Sequence, residues 1–390
     1  MKVVLVFLLI IGSLSYASKQ DKNEKEAFDL QPFRSSSGHW YGIKDKGNII
    51  NPLPDQKRYD DIEIAEIADN MLLYQRNNGG WPKNYDMQAI LTEEQKHRLL
   101  ETKDELHTTF DNGTSYTQVD YLAKVYTATK IKKYKEACLN GFQFILDAQY
   151  DNGGWPQYYP LQDNYSRHIT FNDGAYLGIM NLLKKVVNHN SNFEFVEGAM
   201  REQIETAYKK GLECILDCQI VDQGRLTAWC QQHDEVTLEP AWARAFEPPS
   251  ICNGESVSIV LLLMDIENPD QEVINAIQGA VKWFADSKIY NTRVETFEAP
   301  AMESKYKTIT KDRRVVHDPT APPIWTRYYE LETERPLFCD RNSEFLYSMD
   351  EVSRERRVGY AWYIDAPQRA LNKYPKWLER VGNTENVLEE

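Results

Sequence analysis

The chain has 390 residues, is 42% hydrophobic and carries a formal net charge of −14. That length suffices for a large core, and the negative charge argues against nucleic acid as a partner. Aromatic residues make up 12% of the sequence, with 9 Trp and 23 Tyr, a load that suits a packed core or the binding of sugar rings.

Residues 1–17 read as a signal peptide. Lys2 is a short charged start, Val3 to Ile11 is an apolar run, and Ser15-Tyr16-Ala17 supplies small residues for cleavage after Ala17. No later segment approaches the ~20 apolar residues of a membrane span, so the expectation is a secreted or periplasmic monomer. Residues 18–45, with Ser35-Ser36-Ser37, read as a flexible lead-in. The 6 cysteines show no disulfide framework, and Cys138, Cys214 and Cys218 sit in apolar helical patterns where a thiol packs as a small hydrophobe.

From about residue 58 the periodicity is helical. Ile64, Ile67, Met71 and Leu72 mark one amphipathic helix, and Tyr116, Val119, Leu122, Ala123 and Tyr126 mark another. Further helices are predicted over 174–188, 203–219, 254–266 and 270–286, with alternating strand patterns scarce and a hydrophilic linker near 300–312.

An internal repeat organises these helices. Gln75 runs into Asn77-Asn78-Gly79-Gly80-Trp81-Pro82, and Gln149 into Asp151-Asn152-Gly153-Gly154-Trp155-Pro156. Gln219 begins a diverged copy through Gly224 and Trp229. Each unit then opens an apolar helix with a polar turn: Asp111-Asn112-Gly113, Asn172-Asp173-Gly174 and Cys252-Asn253-Gly254. About three such helical hairpins predict a mainly α fold, an (α/α) toroid or barrel with irregular loops and short strands beside a central groove. Asp111, Asp173 and Asn253 are then expected at one mouth of that groove. The competing reading of each is a helix N-cap, and Trp81 and Trp155 read as core residues at a turn.

Residues 290–360 are basic and aromatic, around Trp325-Thr326-Arg327-Tyr328-Tyr329 and Arg335-Pro336-Leu337-Phe338-Cys339-Asp340-Arg341. Taken alone, Arg327 and Arg341 read as surface ion pairs with Glu330, Glu332 or Asp340.

Several blocks in register resemble the family 10 pectate lyases: Thr109 to Gln118, His168 to Gly174, Gln232-His233-Asp234, Arg244 to Pro249, and Trp325 to Arg341. The resemblance covers most of residues 60–365 and implies one catalytic domain over 46–390. It further implies cleavage of α-1,4-linked polygalacturonate by Ca2+-assisted anti β-elimination, giving unsaturated oligogalacturonates. Residue by residue, Arg341 matches the family's Brønsted base and Arg327 its companion, both binding substrate. Asp173 matches a calcium-holding aspartate. Asp111 and Asn112 match the pair at the reaction centre, Asp111 as a catalytic residue and second metal ligand and Asn112 as a substrate contact. Arg244 matches a further basic residue of the groove. The family's catalytic-site lysine has no clear counterpart, since the alignment loosens over 260–312.

The chemistry agrees with these assignments. The C5 proton of galacturonate is weakly acidic while the adjacent carboxylate keeps its charge, and a calcium held by hard carboxylate oxygens would neutralise it. A cation and arginines also reconcile a net-negative protein with a polyanionic substrate. Two alternatives share the architecture. One is a non-catalytic pectin- or glycan-binding toroid, and the other a terpene-cyclase-like enzyme suggested by Gln75-x-x-x-Gly79-Gly80-Trp81 but lacking an acidic proton-donating cluster.

Overall fold

A computed structural model describes residues 27–42, 48–304, 308–382 and 385–389. The expected signal peptide at 1–17 lies outside them. The described residues are mainly helical, with mostly short strands, one long hairpin and no closed β-barrel. Helices follow the order α1 (Arg34–Gly42), α2 (Ile64–Tyr74), α3 (Glu93–Glu101), α4 (Tyr116–Thr129), α5 (Lys132–Asp147), α6 (Ala175–Val187), α7 (Gly198–Asp217), α8 (Asn253–Met264), α9 (Gln271–Asp286), α10 (Arg354–Gly359) and α11 (Pro367–Val381). Among the described residues no helix is long and apolar enough to cross a membrane.

Helices α4, α6 and α8 pack in succession, and α5, α7 and α9 back them one to one; α2 joins this arrangement at α4 and α11 at α8 and α9. The same side-chain bonds recur at each junction. Gln75 Nε2 donates to the carbonyls of Gly79 and Ala137 (2.9 and 2.9 Å), Gln149 to Gly153 and Ala207 (3.0 and 2.9 Å), and Gln219 to Thr227 and Ala276 (2.8 and 2.9 Å). Each glutamine thereby ties the end of one helix, α2, α5 or α7, to α5, α7 or α9 in turn. The indoles of Trp81, Trp155 and Trp229 are fully buried, and each N–H caps a carbonyl at the C-terminal end of the preceding helix: Met71, Ile145 and Ile215. Free helix-end carbonyls in a core are costly; the indoles satisfy those of Ile145 and Ile215, and at Met71 add to the bond from the Gln75 amide.

Glycine is required at two of these turns. Gly79 and Gly153 have φ of 88° and 90°, and a Cβ there would lie 2.2 and 2.1 Å from the carbonyl oxygens of Asn140 and Lys210. The diverged third turn instead forms a small hairpin, Val221–Asp222 with Arg225–Leu226.

Two sequence expectations are corrected. Within the supposed flexible lead-in, residues 31–42 are helical, with Phe33 and Trp40 buried. Those two aromatic rings supply the apolar anchor that composition alone discounted. The supposed linker near 300–312 belongs to a long antiparallel hairpin, Thr292–Glu303 with Thr308–His317. Its mostly exposed strands carry cross-strand ion pairs such as Arg314–Glu295 (2.7 Å), so its alternation is charged rather than apolar.

Candidate active site

The polar turns that precede α4 and α6 are tight 3-10 turns. Asn112 and Asp173 occupy the same left-handed conformation, φ 53° and φ 51°. The register therefore aligns Asp111 with Asn172 and Asn112 with Asp173, one residue away from the equivalence expected between Asp111 and Asp173. Asp111 is consequently buried while Asp173 faces solvent. Neither side chain caps a helix. Asn and Asp tolerate this backbone best among residues with a side chain, yet it still carries strain.

Tyr116 lies between the two turns, and its ring occupies space that a Cβ at Gly178 would claim at 2.0 Å. Its hydroxyl is pushed up by burial and by the charges of Asp111 and Asp173. Beneath the turns, a cavity of about 530 Å³ is bounded by Asn112, Tyr116, Asp173 and Lys185, and by Pro32 and Phe33 of the N-terminal segment.

Asp111 Oδ2 accepts a charge-assisted bond from Lys83, while its buried Oδ1 has no partner. Lys83 sits 5.6 Å from the Tyr158 ring. Burial alone would lower its pKa, but Asp111 reverses this and holds the ammonium protonated. Asp173 is raised from 3.8 to about 6 by the protein mass around it and by Asp111, with Glu255 and Glu247 adding and Arg244 opposing. Lys83 thus balances Asp111, while the carboxyl of Asp173 beside it stays raised.

The third polar turn does not join them. Asn253 is fully buried, its Oδ1 accepting from the Trp283 indole (2.8 Å) and its Nδ2 facing Thr326 O at 3.4 Å. Its role is to hold α8 against the segment carrying Arg327.

Two residues after Asn253, Glu255 accepts from Arg327 and from the Cys252 thiol (2.7 Å). The Arg327 guanidinium lies 4.8 Å from the Tyr360 ring and is kept protonated by Glu255 against the pull of burial. Arg244 Nε donates to the fully buried Glu247 (2.6 Å), and Glu247 also accepts from Tyr360 Oη (2.9 Å). Arg341 grips Glu355 through Nε and Nη2 (2.9 and 3.2 Å), and Arg356 grips the same carboxylate (2.8 and 2.6 Å). The expected surface pairings with Glu330, Glu332 and Asp340 are thus replaced by Glu255 for Arg327 and Glu355 for Arg341.

The arginines converge on one ring. Arg244, Arg341 and Arg356 lie 5.0, 5.4 and 4.6 Å from the Phe246 centroid, and Tyr360 meets Phe246 edge-on at 5.2 Å. Four guanidiniums are thereby held by Phe246, Tyr360 and three glutamates. Arg244 links this cluster to the acidic turns, since its charge acts on Asp173. Tyr165 lies in the fields of Arg244, Glu247, Asp111 and Lys83. Lys83, Glu255, Glu355, Arg356 and Tyr360 escaped the sequence reading, and Glu247 entered it only within the Arg244 to Pro249 block. Of these, Lys83, two residues after the repeated Gly-Gly-Trp, carried the one local signal.

A further group, His168, Asp234 and Glu235, brings donor atoms within 4.8 Å of one another. Glu235 is already engaged by Arg167 and His168 (2.5 and 2.9 Å), and Asp234 accepts the amides of Val236 and Thr237 (2.9 and 2.8 Å). Internal partners account for this cluster.

A helical scaffold thus carries carboxylates beside an arginine–aromatic cluster. The family model described as pectic acid lyase matches residues 75–371, and the chain belongs to that family and is a polysaccharide lyase. It is similar to a family 10 polysaccharide lyase from Cellvibrio cellulosa, with 27% identity, a TM-score of 0.68, and coverage of 91% of this chain and 100% of that one. It is also similar to a mutant of a family 10 polysaccharide lyase from Cellvibrio cellulosa in complex with trigalacturonic acid, with 30% identity, a TM-score of 0.67, and coverage of 80% and 92%. No curated protein matches.

Proposed function

We propose that this chain is a secreted, calcium-dependent pectate lyase that cleaves polygalacturonate by anti β-elimination. Residues 46–390 act as one catalytic domain, built as an (α/α) toroid from the three helical hairpins, after removal of residues 1–17. The observation that carries the reading is the oxygen set at the turns: a buried Asp111 Oδ1 without a partner, the other oxygen being held by Lys83, beside Asp173, itself raised to about 6. Such an oxygen set fits a hard divalent cation. Asp173 and Asp111 would hold calcium, whose chemistry there is to neutralise a galacturonate carboxylate and acidify the adjacent C5 proton.

The chain's own residues do the rest. The arginines orient the substrate carboxylates, and Asn112 lies beside Asp111 to contact the sugar. In the elimination a base takes the C5 proton, the C5–H electrons form the C4=C5 bond, and the C4–O bond to the leaving chain breaks. Lys83, positioned at Asp111, is a candidate to protonate or hold the leaving oxygen.

The resemblance gives the base role to Arg341, but the geometry favours Arg244. The charge of Arg244 bears on Asp173, whereas Arg341 is anchored to Glu355. Proton removal requires Arg244 to exchange its bond with Glu247 for the substrate, since Glu247 holds it firmly protonated despite burial. Arg341 and Arg327 then serve as substrate-carboxylate binders. Membership of the lyase family removes the terpene-cyclase alternative.

The test is absorbance of the unsaturated product from polygalacturonate, with added calcium and with chelator. Full turnover in excess chelator would falsify the metal role, and no turnover under either condition would leave the non-catalytic glycan-binding reading. The same mechanism predicts slow cleavage of highly methyl-esterified pectin.

A further inference from the structure

Beyond the arginine cluster lie two large rings that the core does not cover. Trp242 and Phe345 are 36% and 41% exposed, with centroids 6.0 Å apart and planes inclined at 41°. Exposed apolar side chains scattered singly are ordinary, whereas a contiguous pair on the rim of a polar site points to a ligand.

Their position is built. Trp242 stands two residues before Arg244, in a segment pinned by the Ala241 amide to Gln232 O (3.0 Å) and the Ala243 amide to Glu247 O (3.1 Å). Phe345 pairs with Cys339 at the edge of a four-stranded sheet, and the Cys339 thiol reaches Ala245 O at 3.4 Å. The loop that carries Arg341 therefore lies against the loop that carries Arg244, and each contributes one ring. Two residues along from Phe345, Tyr347 is 40% exposed and holds Arg335 at 3.7 Å over its face.

We propose that Trp242 and Phe345 form an outer subsite that stacks a galacturonate ring of a long pectate chain. The proposal rests on the pectate-lyase reading and extends it to chain length. The electron-rich aromatic faces attract the C–H face of a pyranose and repel its carboxylate, which must point aside toward a cation. Arg341, in the turn between Cys339 and Phe345, and Arg335, against Tyr347, meet that need, so charge complementarity and continuity with the groove both select an extended oligogalacturonate as the occupant.

The experiment compares wild type with Trp242→Ala, Phe345→Ala and Trp242→Phe. Loss of one stacking contact should lower the ratio of kcat/KM on polygalacturonate to kcat/KM on trigalacturonate by about fivefold to tenfold. Trp242→Phe should recover most of it. A merely structural role would depress both substrates together, and an unchanged ratio overturns the subsite. Electrophoresis through gels containing polygalacturonate without calcium decides the matter independently of catalysis. Weaker retardation of Trp242→Ala supports the subsite even if the wild type proves to cleave nothing, which would overturn only the lyase reading. Equal retardation of both proteins overturns the subsite.

Discussion

His233→Gln should flatten the acid sensitivity of the fold. The His233 imidazole is fully buried between Leu238 O, 2.8 Å from Nδ1, and the Cys230 amide, which donates to Nε2 at 3.1 Å. That pair of bonds defines the neutral tautomer with the proton on Nδ1. Burial lowers its pKa from 6.5 to about 4. Between those values the unfolded chain binds a proton that the native fold refuses. The stabilising contribution is therefore complete above pH 6.5 and is lost as pH falls toward about 4. At pH 4.5 the loss amounts to ~2.5 kcal/mol, at ~1.36 kcal/mol per unit. Glutamine cannot titrate, so the variant should be less stable at pH 7.5 by the bonds it loses, about 1–3 kcal/mol, and should then fall less steeply. Urea midpoints of both proteins at pH 7.5 and 4.5, in chelator, measure the difference, with other titrating groups cancelling. Parallel pH curves would refute the assignment. Because His233 pairs with Ile169, just before the Asp173 turn, the same titration bears on the site.

Asp173→Asn should stabilise the metal-free protein at pH 8 and leave it unchanged at pH 4. The raised carboxyl is unfavourable only once ionised, by ~1 kcal/mol after solvent screening, or about 1–2 °C in Tm. The same variant should lose most of the calcium-induced rise in Tm seen in wild type, and an equal rise would remove Asp173 from the ligand set. Arg244→Ala should lower kcat by about 100-fold or more, whereas Arg341→Ala should act mainly on KM. The reverse pattern, measured on folded protein, restores the base role to Arg341. Trp155→Phe should cost about 1–3 kcal/mol in thermal denaturation by orphaning the Ile145 carbonyl, and altered specific activity of the folded variant would contradict a purely structural indole.

The helices and the repeat were legible in the sequence because both are local. The predicted span 270–286 agrees with α9 (Gln271–Asp286) and 174–188 with α6 (Ala175–Val187) within a residue or so, since apolar periodicity records which face a helix buries. Gln75, Gln149 and Gln219 were visible because each bond they make is repeated. The long hairpin over 292–317 was missed because its strands are exposed and charged, and no apolar alternation marks them.

The sequence by itself determined which residue types could serve the chemistry: carboxylates in polar turns and arginines among aromatics. Tertiary structure alone decided their roles. Asp111 and Asp173 differ by one position in register, so one is buried and the other open, a distinction that rests on a left-handed turn and not on residue type. Arg341 and Glu355 lie 14 residues apart, Arg327 and Glu255 72 apart. Their pairing reflects the stacking of loops on a helical frame, and Coulombic partners are chosen by distance in space, which residue spacing along the chain does not encode.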